Sequence, residues 1–228
     1  MEAVILDVDG TLADTERDGH RVAFNLAFEQ LGLDHRWDVE AYGRLLEITG
    51  GQHRLHAYLE GEGMGEAERA ELVPRLHARK NELFQELVAA GRISPRPGVP
   101  ELLDALERAG VRLAVATTGS RAWVEPLLAQ LFGAGRFSPV ITGDEAPVRK
   151  PDPSAYHQAL EGLDLPPRSV VAVEDSTNGL VAARTAGLAC VVVTNGYTAG
   201  HDLTGAALVV DTFEDLDVAT LGQLLAWA

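Results

Sequence analysis

The chain has 228 residues, 46% hydrophobic and 23% charged, which suffices for one well-buried core or for a core domain carrying a smaller insert. A formal charge of −15 with no clustered Lys and Arg argues against binding to a nucleic-acid backbone. No apolar stretch approaches the length that crosses a bilayer, so no membrane partner is expected.

Met1 runs straight into the strand-like Ala3-Val4-Ile5-Leu6, with neither a basic leader nor a small-residue cleavage site, and a cytoplasmic protein is expected. Apolar, β-branched runs recur at residues 3–8, 111–117, 138–142, 169–174, 189–193 and 207–210, with helical segments between them. That alternation predicts an α/β fold, a Rossmann-like doubly wound parallel sheet with helices on both faces. The interval between the first two runs exceeds what one crossover helix needs, so an inserted all-α cap domain is expected at 14–94, with 1–13 and 95–228 forming the α/β core.

Within the insert, Asp14 or Thr15 can cap a helix that runs to Leu31, where Gly32 stops it. Further helices are expected near 38–48, 53–60 and 66–90, with Pro74 as a break or first-turn residue. Ser94-Pro95-Arg96-Pro97-Gly98 reads as a stiff connector back to the core. A cap on two linkers can open and close over a site and exclude water from it. The single cysteine, Cys190, lies in an apolar run and reads as a small buried side chain.

Ligands in open α/β sheets bind beyond the carboxyl ends of the strands, and these runs end in Asp7 and Asp9, Thr117 and Thr118, and Glu174 and Asp175. Asp7 and Asp9 lie two apart on extended backbone, so both point to one side, and Gly10 permits a sharp turn after them. Asp-Gly alone is also a plain turn signal. Buried like charges are costly without a cation, and four hard oxygen donors with few competing nitrogens or sulfurs suit Mg²⁺. Only two of the 19 basic residues are lysines, Lys80 and Lys150, so a lysine at a special position is informative.

The segments Asp7-Val8-Asp9-Gly10-Thr11, Val115-Ala116-Thr117-Thr118, Arg149-Lys150-Pro151-Asp152-Pro153 and Val173-Glu174-Asp175-Ser176 resemble, in order and spacing, the four signature motifs of the haloacid dehalogenase superfamily. The resemblance implies a phosphohydrolase core in which Asp7 attacks phosphorus, while Asp9 protonates the leaving oxygen and then activates water. It implies that Thr117 and neighbouring backbone N–H groups hold the transferring phosphoryl, with Thr118 and Gly119 in the substrate site, and that Lys150 neutralises charge beside it. Asp7, the backbone carbonyl of Asp9, and Asp175 would bind Mg²⁺, with Glu174 either a ligand or directly behind the ligands. Taken singly, Thr117 also fits an ordinary strand end, Lys150 a solvated loop cation, and Glu174-Asp175 acids at a helix N-terminus.

A second set, Glu16-Arg17-Asp18-Gly19-His20-Arg21-Val22-Ala23-Phe24-Asn25, Trp37, Tyr42, Thr49-Gly50-Gly51-Gln52-His53-Arg54 and Tyr197-Thr198-Ala199-Gly200, resembles the CbbY-type phosphatases, a family that dephosphorylates xylulose-1,5-bisphosphate. Glu16, His20 and Tyr42 offer hydrogen bonds to sugar hydroxyls, and Gly50 and Gly51 can present N–H groups to a second phosphate, backed by Arg54. The plainer readings are a surface pair for Glu16 and His20, a core ring for Tyr42, and a stem over apolar surface for Arg54. Gln52 departs from the family, which often has lysine there, and Arg54 or Arg44 would have to compensate.

The expected function is therefore Mg²⁺-dependent hydrolysis of a phosphorylated sugar by a monomer. A sugar-phosphate mutase like β-phosphoglucomutase and a non-enzymatic phospho-acceptor module are the alternatives, and the core motifs do not separate phosphatase from mutase.

Overall fold

The computed structural model describes residues 1–48, 50–146 and 148–227. Contacts divide the chain into two compact units, Met1–Asp14 with Ser94–Ala228, and Thr15–Ile93. Asp14 and Ser94 thus stay with the first unit, one residue beyond the expected boundary at each end. Local pairing explains this, because Ala13 bridges Pro95 and the Arg96 N–H donates to the Leu12 carbonyl at 3.0 Å.

Along the chain, β1 (Ala3–Leu6) precedes helices α1 (Arg21–Gln30), α2 (Val39–Leu45), α3 (Gly51–Gly61), α4 (Glu66–Ala89) and α5 (Val99–Arg108). Then come β2 (Arg112–Ala116), α6 (Arg121–Phe132), β3 (Val140–Ile141), α7 (Ser154–Leu163), β4 (Val170–Glu174), α8 (Thr177–Thr185), β5 (Ala189–Val193), β6 (Leu208–Val210) and α9 (Val218–Gln223). The strands form one sheet in the order β3-β2-β1-β4-β5-β6, and every neighbouring pair is parallel. The inner strands are buried along nearly their whole length, as their Val- and Ala-rich runs require when helices cover both faces. β3 is shorter than the run that predicted it. Pro139 has no N–H to give the ladder, although its carbonyl still accepts from Val115 at 2.9 Å.

Chain order reverses between β1 and β4: β2 and β3 lie to one side of β1, and β5 and β6 to the other side of β4. A crevice opens at such a switch point beyond the carboxyl ends, which is where Asp7 and Glu174 leave the sheet.

The second unit is all helical. Its core contains Phe24, Phe28, Trp37, Tyr42, Leu55, Leu59, Val73, Leu76 and Phe84, and Asp38 caps α2 by accepting from the Ala41 N–H at 2.7 Å. The helix expected from Asp14 or Thr15 begins instead as a wide π-type turn, Thr15–His20, before α1. Gly19 sits so close to Phe84 that a Cβ there would lie 2.5 Å from its ring. Pro74 neither breaks nor starts α4. Pro74 and Ala70, whose carbonyl loses its partner, both face solvent, while Val73, Leu76, Leu83 and Phe84 anchor the opposite face. Among the described residues, no helix is long and apolar enough to cross a membrane.

Candidate active site

The Asp7 N–H donates to the Val173 carbonyl at 3.0 Å, extending the β1–β4 ladder by one residue and setting Asp7 beside Glu174. Lys150, in the loop before α7, places Nζ 2.7 Å from Asp7 Oδ1, 2.5 Å from Glu174 Oε1 and 2.8 Å from the Ala116 carbonyl. The Tyr156 hydroxyl donates to the same Glu174 oxygen at 2.5 Å, and the Asp175 N–H approaches Glu174 Oε2 at 3.4 Å. Glu174 fits because Gly179 has no side chain: a Cβ there would fall 1.9 Å from Oε2. Ser176 caps α8 by accepting from the Gly179 N–H at 3.2 Å, so the two acids directly precede a helix N-terminus.

Asp7, Glu174, Asp175 and Lys150 are each less than 10% exposed, and carboxylate oxygens of the three acids lie within 4.8 Å of one another. One lysine cannot offset three acids in a dry site. Burial pushes the Asp7 carboxyl above its ordinary value, with Lys150 opposing and Asp9 adding to the rise. Glu174 is pushed up to about 7 by burial against the pull of Lys150, with Asp7 adding to the rise, and Asp175 is raised further by burial and the charges of Asp7 and Glu174. Burial alone would push Lys150 down, but Asp7 and Glu174 hold it above its usual value. A hard divalent cation fits this donor set, since it would replace the repulsion among the acids with attraction.

At the end of β2, buried Thr117 directs its hydroxyl oxygen to the Gly119 N–H at 3.1 Å, curling residues 117–119 into a tight loop. Trp123 lies beneath it, so close to the Gly119 Cα that a Cβ would sit 2.2 Å from the indole. Half-buried Thr118 and buried Gly119 therefore lie on a loop braced from below.

Two residues outside the expected site hold the loop that follows Asp9. Arg96, read from sequence only as part of a connector, is buried and donates to the carbonyls of Gly10 at 2.7 Å, Val193 at 3.0 Å and Thr194 at 2.6 Å. The Asn195 amide reaches Asp175 Oδ2 at 2.7 Å and the Gly10 carbonyl at 3.2 Å. Gly10 is required twice: its φ is 77°, and a Cβ would lie 2.4 Å from Asp175 Oδ2.

The helical unit carries its own polar cluster. The Tyr42 hydroxyl donates to Glu16 Oε2 at 2.6 Å and accepts from Arg54 Nη1 at 3.2 Å. Arg54 is buried, and it also donates to the carbonyls of Leu45 at 2.9 Å and Ile48 at 3.3 Å. Lys80 lies 2.9 Å from His20 Nδ1 and above the rings of Phe24 and Phe84. An ammonium only donates, so His20 Nδ1 accepts and its proton sits on Nε2. Burial and Lys80 push His20 down to about 3. Gly50 adopts a φ of 93°, and His77 approaches Gly51 so closely that a Cβ would lie 2.8 Å from its Nε2. Gln52 is exposed, and Arg44 is exposed and paired with Glu40 at 2.8 Å. Thr49, part of the same motif, lies outside the described residues. Lys80 and His77 were missing from the expected set; the scarcity of lysine was the one signal pointing to Lys80.

A family model for haloacid dehalogenase-like hydrolases matches residues 1–187. Protein CbbY of Cereibacter sphaeroides is 44% identical over 220 residues, covering 95% of this chain and 94% of the relative. The crystal structure of CbbY from Rhodobacter sphaeroides in complex with phosphate matches with a TM-score of 0.81 at 42% identity, over 97% of this chain and 99% of that one. A mutant of that protein in complex with xylulose-(1,5)bisphosphate matches with a TM-score of 0.79 at 40% identity and the same coverage. The chain belongs to the haloacid dehalogenase-like hydrolases and, within them, to the CbbY-like phosphatases.

Proposed function

We propose that this phosphatase hydrolyses a phosphorylated sugar, with xylulose-1,5-bisphosphate or a close sugar bisphosphate as substrate, through an aspartyl-phosphate on Asp7 and with Mg²⁺ as cofactor. The observation that carries the reading is the buried grouping of Asp7, Glu174 and Asp175 around one lysine, with Asp7 Oδ1 tied to Lys150 at 2.7 Å. That bond fixes the carboxylate and leaves Oδ2 to attack phosphorus. The P–O bond to the sugar breaks as Asp9 gives its proton to the leaving oxygen; Asp9 then takes a proton from water, whose oxygen displaces the Asp7 carboxylate from phosphorus. Residues 117–119 and Lys150 stabilise charge on the transferring group. Mg²⁺, bound by Asp7, the Asp9 carbonyl and Asp175, would supply the positive charge that lets an anionic ester approach carboxylates. Glu174 serves behind the ligands, because Lys150, Tyr156 and the Asp175 N–H already engage both its oxygens.

In the helical unit, the Glu16–Tyr42 pair and the His20 Nε2–H suit sugar hydroxyls. Gly50 and Gly51 N–H groups, with Arg54 and Lys80, suit a second phosphate, and Lys80 provides the ammonium that Gln52 does not. The xylulose-(1,5)bisphosphate in complex with the crystallised relative supports this choice.

The test is phosphate release from mono- and bisphosphorylated pentuloses and hexoses, with Mg²⁺ and with chelator. Release from a bisphosphate that stops in chelator is expected. Isomer formation without phosphate release would instead make the protein a mutase.

A further inference from the structure

Two residues past β5, Asn195 holds Asp175 in place from outside the acidic cluster. One amide group spans two acid-bearing loops, donating to Asp175 Oδ2 at 2.7 Å and to the Gly10 carbonyl at 3.2 Å. The orientation of that amide is fixed, since its Oδ1 accepts from the Tyr197 N–H at 2.8 Å and the nitrogen end must then face Asp175. Its backbone is fixed as well: the Asn195 N–H donates to Thr198 Oγ1 at 3.0 Å, and the carbonyl accepts from Thr198 and Ala199 at 3.1 Å. On the far side, Gly10 packs its bare Cα against Asp175 Oδ2, and its carbonyl is shared with Arg96 at 2.7 Å. Asp175 Oδ2 thereby accepts a hydrogen bond, while among the described residues Oδ1 accepts none and is left to face a cation.

We propose that Asn195 is a positioning residue for the divalent cation, setting the direction of the Asp175 carboxylate and its spacing from the loop after Asp9. The inference rests on the metal-dependent reading above, and groups that orient a ligand from behind typically affect metal affinity about 10- to 100-fold.

The experiment measures Mg²⁺ binding to the metal-free enzyme by titration calorimetry, for wild type, Asn195→Ala and Asn195→Leu. Both variants are expected to bind Mg²⁺ about tenfold or more weakly. Their melting temperatures in chelator should fall by about 2–12 °C, the loss expected for a few buried hydrogen bonds, which leaves both folded at the titration temperature, and activity lost at low Mg²⁺ should return as Mg²⁺ is raised. Variant affinities within about twofold of a Mg²⁺-binding wild type, well short of the orienting effect, would overturn this assignment alone. Wild type that binds no Mg²⁺ would overturn the metal-dependent reading and this inference with it. If one variant fails to fold, the other decides, because Ala truncates the side chain while Leu keeps its branched shape in a slightly larger volume, and both remove the amide donors.

Discussion

Replacing Lys150 with methionine removes a single ammonium and leaves most of the side-chain volume. The Lys150 ammonium contacts Asp7 Oδ1, Glu174 Oε1 and the Ala116 carbonyl, all within 2.8 Å and all buried. Breaking one side of a buried ion pair costs roughly 3–5 kcal/mol, because the remaining charge is left without compensation. In a protein of this size each kcal/mol shifts melting by roughly 2–4 °C, so Lys150→Met should melt about 6–20 °C below wild type in chelator. The deficit should be largest at mildly alkaline pH, where Glu174, raised to about 7, is ionised. Adding Glu174→Gln to Lys150→Met should recover part of the loss, since one stranded charge goes with it. Circular dichroism melting of the three proteins reads this directly. A single variant that melts within about 2 °C of wild type, less than 1 kcal/mol on this scale, would refute the view that the cluster depends on Lys150.

Asp9→Asn should lower kcat about 10²- to 10⁴-fold and let phosphoenzyme accumulate, as rapid-quench mass spectrometry would show; undiminished turnover would remove Asp9 from the acid–base role. Gly10→Ala forces a methyl toward Asp175 and a non-glycine residue into a φ of 77°, so a loss of about 1–3 kcal/mol in denaturant titration is expected. His20 predicts a pH dependence for the helical unit. Held down to about 3 from an ordinary 6.5, it stays neutral while the unfolded chain takes up a proton, so stability is lost as pH falls from about 6.5 toward 3. Lys80, Arg54 and His77 act in that direction and Glu16 opposes them. A His20→Gln variant should show a shallower fall in melting temperature across that range; parallel curves would contradict the assignment.

Much of the architecture is legible locally. Continuous Val- and Ala-rich runs mark the inner strands because both sheet faces are covered, and Asp7, Glu174 and Asp175 declare themselves as acids where such runs stop. Gly32 is likewise readable as a helix stop, and its φ of 71° follows α1 as expected. What escapes reading acts across long separations. Asn195 meets Gly10 across 185 positions, and Arg96 meets Val193 across 97, with no periodicity or spacing to announce either contact. Tyr156 looks like any apolar helix residue until its hydroxyl is seen on Glu174. Pro74 misleads for the opposite reason: a local rule about proline yields to α4 packing on one face while the freed carbonyl points outward. Lys80 lies between these cases, conspicuous by rarity and given meaning only by the aromatic rings and the histidine around it.

The most direct test is chemical trapping of the acyl phosphate. Enzyme turning over a sugar bisphosphate in Mg²⁺ would be quenched with borohydride, which reduces an aspartyl-phosphate to homoserine, and its peptides would then be sequenced by mass spectrometry. Homoserine at position 7, absent without substrate and absent in Asp7→Asn, is the predicted result. Phosphate release at full rate with aspartate intact at position 7, or with homoserine at any other position, would contradict it.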